Sequence, residues 1–190
     1  MRGAAVVGLV ALGIALGLWV PAGTPPAAHD DLRIFLLPTE PYVLIPAVAV
    51  IAAVCVWKRR WDGLALCLLG SIEPVALTTW VLKPLFDRPL HDYLAYPSGH
   101  AASLVSVLTV LVLLVRRVLV AALAVAVTVL AGIGLVGAGY HYPVDVVGGA
   151  CFAIAAVVTI EWGLRRGRAP SSGSPRGGTS SGSPPAASPR

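Results

Sequence analysis

The sequence predicts an all-α membrane protein, a bundle of six transmembrane helices, and three observations predict it. Of its 190 residues, 57% are hydrophobic and only 12% are charged, and the mean hydropathy is +0.83. That is far more apolar than a soluble domain of this length. The apolar residues fall into long runs broken by Pro, Gly or charge, each run close to the length that crosses a bilayer. Outside the polar loops, Lys and Arg collect at Arg2, Lys58 to Arg60, Arg116-Arg117 and Arg165 to Arg168, and a six-span path puts all of these on one side. By the positive-inside rule that side is cytoplasmic, with both termini. The formal net charge of +5 therefore reports membrane orientation, and nucleic acid is rejected as a partner.

The spans follow in order. The first covers about 4–22 and ends at a Pro/Gly-rich stretch; a cleaved signal peptide is the other reading of this run. Residues 24–42 carry His29, Asp30, Asp31, Arg33 and Glu40 and read as an extracytoplasmic loop with a short amphipathic turn at Leu32 to Leu37. The second span covers about 42–57 and the third about 63–82. Within the third, Glu73 precedes Pro74 at a depth where an ionisable group is costly. It reads as a group that handles substrate or protons, as a protonated carboxyl bonded to a neighbouring helix, or as part of a Pro-broken segment lying closer to the surface. The remaining spans cover about 100–115, 118–140 and 143–164, with Gly132, Gly134, Gly137 and Gly139 giving the fifth a face for close packing. Residues 1–168 form the membrane domain. From 169 to 190 the chain is Ser, Pro, Gly and Arg with almost no apolar bulk, the composition of a disordered cytoplasmic tail. Cys55, Cys67 and Cys151 lie inside apolar runs and read as small buried hydrophobes.

The outer face of this topology gathers Lys83, Asp87, Arg88, His91, Asp92, Ser98, His100, His141 and Asp145. In Tyr96-Pro97-Ser98-Gly99-His100, Ser98 is an N-cap for the helix that follows, and Gly99 lets the backbone approach a bound group. Free N–H groups at a helix head, beside an imidazole, make an anion site. The fourth span leads away from His100 and the fifth returns to His141, so the two histidines reach one membrane face. Asp145, four residues after His141, can hold one imidazole nitrogen and leave the other as a nucleophile. Lys83 and Arg88 supply positive charge for a phosphoryl group.

These residues carry a resemblance to the type 2 phosphatidic acid phosphatase family, the membrane branch of the superfamily that includes the vanadium haloperoxidases. The family pattern is Lys-x6-Arg-Pro, Pro-Ser-Gly-His and Ser-Arg-x5-His-x3-Asp on a six-helix core. This chain has Lys83, the full Pro97-Ser98-Gly99-His100, and His141-Tyr142-Pro143-Val144-Asp145. The resemblance covers roughly residues 40–165. It implies that His141 attacks phosphorus to form a phosphohistidine, that Asp145 positions it, and that His100 protonates the leaving oxygen and then activates water. Lys83, Ser98 and the Gly99 amide would hold the phosphoryl oxygens, with no metal and no cofactor.

Two departures stand out. The first-motif Arg-Pro falls on Leu90 and His91, leaving Arg88-Pro89 two residues earlier as a substitute, with His91 a further accessory candidate. The third-motif Ser-Arg falls on Gly134 and Leu135. Losing a bidentate phosphate contact weakens transition-state binding unless another cation replaces it. The reading is a lipid phosphate phosphatase of the cytoplasmic membrane acting at its outer face. Its substrate would be a polyprenyl (undecaprenyl-type) diphosphate, phosphatidylglycerol phosphate or phosphatidic acid, with the first preferred. The alternatives are a non-hydrolytic relative that binds or moves a phospholipid, and a phosphotransferase.

Overall fold

The computed structural model describes residues 2–19, 28–90 and 92–167. His91, Arg168 and the tail 169–190 fall outside the described residues. The helices are α1 (Arg2–Trp19), α2 (Pro41–Trp57), α3 (Trp61–Leu77), the short α4 (Lys83–Phe86), α5 (Gly99–Val115), α6 (Val118–Gly137) and α7 (Pro143–Arg166). Five stretches are long and apolar enough to cross a membrane: Arg2–Trp19, Asp30–Trp57, Trp61–Phe86, Val118–Gly137 and Pro143–Arg166. The remaining apolar helix, α5, has 17 residues, about 25 Å at 1.5 Å per residue, slightly short of a bilayer core.

Helix α7 is the centre of the bundle. It packs against α1, α3 and α5, and its buried face runs from Val144 through Asp145, Gly148, Gly149, Phe152 and Val157 to Glu161. Helix α5 lies beside it and buries Ala101, Ala102, Val105 and Val110. The outer helices turn apolar side chains outward: Leu18, Ile45, Trp57, Trp80, Val118 and Leu123 are all exposed. Apolar surface facing both inward and outward is what a lipid solvent permits.

Three departures from the sequence reading concern connections. The stretch read as a loop is a 3-10 helix, Asp30–Thr39, that runs directly into α2. It packs on α6, where Gly134 and Gly137 leave room for Phe35 and Leu32, and His29 N–H bonds the Gly137 carbonyl at 2.8 Å. The small-residue face of α6 thus receives this helix. Helix α3 does not stop at 82; it passes through a π-helical turn, Thr78–Leu82, into α4, so Lys83 sits on helix. A two-residue antiparallel ribbon, Pro89–Leu90 with Tyr93–Leu94, follows in the otherwise all-α chain.

Tyr96 joins α1 to this frame. Its ring lies where Cβ atoms at Gly17 and Gly148 would fall, and its hydroxyl donates to the Gly13 carbonyl. Burial pushes its phenol pKa up, which keeps it a neutral donor.

Candidate active site

The site is built where α3–α4, α5 and α7 converge. Ser98 caps α5: its Oγ accepts from the Ala101 N–H at 3.3 Å. The Ser98 N–H in turn donates to the Asp145 carbonyl at 2.9 Å. A Cβ at Gly149 would meet the Ser98 carbonyl oxygen at 2.5 Å, so only glycine lets α7 come this close. The loop before α5 is therefore fastened to the first turns of α7. Around Gly99 the opposite holds, with nothing within 4 Å of the position its Cβ would take.

Across this joint the rings of His100 and His141 stand 6.0 Å apart, at 65°. His141 is 3% exposed and Asp145 is fully buried behind it. The Asp145 Oδ2 accepts the Tyr142 N–H at 2.9 Å, capping α7, and lies 3.7 Å from His141 Nδ1. That separation is an ion-pair distance and longer than a hydrogen bond. His141 Nδ1 and Asp145 Oδ1 are both buried without a hydrogen-bond partner. Such a pair has unsatisfied hydrogen-bonding capacity.

Both histidines, Gly99 and Lys83 line one cavity of about 590 Å³. Lys83 is held by a 2.7 Å bond from its Nζ to the Leu94 carbonyl. From this polar end the cavity extends between α2, α3 and α5 along Leu44, Ile45, Val48, Ile72, Val75 and Val107. A polar head and an apolar shaft are the two halves of an amphiphile's binding site. Among the described residues, no three His, Cys, Asp or Glu side chains converge to hold a metal ion.

A family model, the PAP2 superfamily, matches residues 75–168, the stretch that contributes Lys83, the α5 cap and the head of α7. The chain belongs to the PAP2 superfamily. Its fold is also that of a solved transmembrane PAP2-type phosphatidylglycerolphosphate phosphatase from Bacillus subtilis, with TM-score 0.61, 22% identity, and 86% of this chain and 87% of that chain covered. No curated protein matches the sequence.

Seen as a PAP2 site, the cavity gathers His100, His141, Gly99 and Lys83, with Asp145 directly behind His141 and Ser98 buried beneath the loop. Arg88 does not join them. Its guanidinium donates to the Leu16 and Gly17 carbonyls at 3.3 and 3.4 Å and lies over the Tyr96 ring at 5.4 Å. The reason is electrostatic: the C-terminal carbonyls of α1 attract a cation. Glu73 is likewise apart, exposed on the outer side of α3. Leu135, where the PAP2 pattern has arginine, is 1% exposed and packs with Leu36, Ala101, Ala138 and Val146.

The sequence reading missed Tyr93. It lines the cavity, its ring stands 6.2 Å from that of His141 and 6.0 Å from Lys83 Nζ, and its hydroxyl donates to the Tyr140 carbonyl. Burial, more than the nearby Asp145, pushes its phenol pKa up, so it stays a neutral O–H. Its position in the loop between Lys83 and the Ser98 cap was the one available signal.

Proposed function

We propose that this PAP2 chain is a membrane phosphatase that removes phosphate from a lipid phosphate or polyprenyl diphosphate through a phosphohistidine, on the extracytoplasmic side. The observation that carries the reading is the 6.0 Å separation of the two imidazoles at the polar end of an apolar cavity. A phosphorus atom between the rings is within reach of both.

His141, with the Asp145 carboxylate 3.7 Å from its Nδ1, attacks phosphorus through Nε2 as the bond to the leaving oxygen breaks. His100 gives that oxygen its proton. Water then attacks the phosphohistidine, the P–N bond breaks, and His100 takes the water's proton. Lys83 and the free N–H groups at the head of α5 face the charge that develops on the phosphoryl oxygens. The shaft between α2 and α3 suits an acyl or prenyl tail that remains in the bilayer. Of the candidate substrates, polyprenyl diphosphate, phosphatidylglycerol phosphate and phosphatidic acid, we favour the first.

The test is phosphate release from each of the three lipids by purified protein, beside His141→Ala and His100→Ala. Release that both substitutions abolish supports the enzyme; no release from any lipid defeats it. One observation favours the rival reading, a PAP2 relative that binds a phospholipid without hydrolysis. Lys83 is the one cation lining the cavity among the described residues. In that case the lipids bind with no phosphate released. A phosphorylated acceptor alcohol in place of free phosphate would mark a transferase.

A further inference from the structure

At the end of the bundle opposite the histidines, where α2, α5 and α7 finish and α3 begins, lies a second cavity of about 580 Å³. Arg59, Arg60, Arg116 and Arg165 line it, against two carboxylates, Asp62 and Glu161. Orientation in the membrane accounts for basic residues at this end, but it does not account for their arrangement. Glu161 is 4% exposed and sits at the centre of guanidinium groups from three parts of the chain. Arg2 of α1 reaches it at 2.8 Å, Arg116 of the α5–α6 turn at 3.7 Å, and Arg165 of α7 more closely still. One buried anion thus holds three cations in place, and their side chains remain 50–57% exposed.

Arg60 is fixed separately, with both terminal nitrogens on the Leu114 carbonyl at 3.4 and 3.5 Å. The cavity floor is apolar, formed by Leu66, Leu113 and Leu164. Trp61 lines it, 60% exposed, and Trp57 ends α2, 80% exposed; tryptophan is the residue type that marks the headgroup level of a bilayer. Positioned guanidinium groups in excess over carboxylates, above apolar side chains and at headgroup height, fit one ligand chemistry: a phosphate diester carrying acyl chains.

We infer that this cavity binds the headgroup of an anionic phospholipid from the leaflet opposite the active site. Glu161 is the positioning residue, and Arg60, Arg116 and Arg165 face the phosphate. The inference does not depend on catalysis, so it stands or falls separately from the proposed phosphatase activity.

The experiment uses the full chain in nanodiscs of phosphatidylcholine and phosphatidylglycerol in equal amounts with matched acyl chains, and reads retained lipid by native mass spectrometry. Wild-type protein should keep phosphatidylglycerol over phosphatidylcholine by about tenfold. The double substitution Arg60→Gln with Arg165→Gln should reduce the preference to near parity. Removing equal charge outside the cavity, with Lys58→Gln and Arg117→Gln, should leave it intact. Parity in the wild type, or equal loss in both doubles, overturns the proposal. So does inorganic phosphate stabilising the protein as well as the lipid does, since the ligand is then a free anion. A wild-type measurement covers the case in which the first double fails to fold: a phosphatidylglycerol with a photoreactive headgroup should label Arg59 to Leu66 and Leu164 to Arg166. Labelling confined to the histidine end refutes the assignment.

Discussion

The two ends of the bundle treat buried charge in opposite ways. At the arginine end, Glu161 is surrounded by three guanidinium groups, each on a different element. At the histidine end, Asp145 is fully buried with one oxygen on the Tyr142 N–H, while its other oxygen and His141 Nδ1 have no hydrogen-bond partner. Glu161 Oε1 also lacks an aligned hydrogen bond, but the Arg116 and Arg165 guanidinium groups lie within ion-pair distance of it, and a carboxylate compensated by that much positive charge stabilises structure. Asp145 has an imidazole as its neighbour instead, and on the proposed phosphatase reading their pairing strengthens as the histidine gains charge.

Substitutions can break that contrast. The largest expected effect is His141→Ala, which should lower phosphate release about 10⁴-fold or more while leaving thermal unfolding nearly unchanged. Activity surviving above that level would dismiss the nucleophile. Asp145→Asn keeps an acceptor for the Tyr142 N–H but loses the charge behind His141. Turnover should drop about 10³-fold, with stability within about 1 kcal/mol of wild type; a collapse in stability with unchanged specific activity would make Asp145 a structural group after all.

Leu135→Arg would restore the pattern's missing arginine, yet the site is closed. We expect a loss of about 3 kcal/mol in stability and no gain in turnover, and a rise in turnover would mean the position opens onto the phosphate. At the other end, Glu161→Ala frees three arginines from their shared anion. Because those arginines are half exposed, the expected cost is modest, about 1–2 kcal/mol by thermal unfolding, with phosphate release unaffected. The smallest effect is that of Gly99→Ala. Space for the methyl exists, so folding should change by less than about 1 kcal/mol, while turnover falls about tenfold as the methyl occupies ground meant for substrate. Equal turnover would show that no ligand approaches that closely.

Much of this was legible in the sequence because it rests on local chemistry. Apolar runs and basic clusters locate the helices, Ser98 announces its own cap, and a helical hairpin must return His141 to the level of His100. What stayed hidden depends on distant partners. Arg88 looked available for phosphate until α1, about 70 positions earlier in the chain, presented its terminal carbonyls. The 3-10 helix Asp30–Thr39 was obscured by its charges and Pro38, and only the glycines of α6 give it a seat. Glu161 was unreadable for the same reason: a lone acid near the end of a span gains meaning when Arg2 and Arg116 arrive from elsewhere.

The bond from the Ser98 N–H to the Asp145 carbonyl, tightened by the glycine at position 149, makes the loop before α5 and the first turns of α7 a single rigid block. The two imidazoles are held by that block together with α6, whose Leu135 carbonyl accepts the His141 N–H at 3.3 Å, and on the proposed reading a bulkier or slimmer tail is accommodated by the opposing wall of α2 and α3. On that reading, diversification of lipid preference falls in a part of the molecule where sequence can drift without retuning the phosphate end.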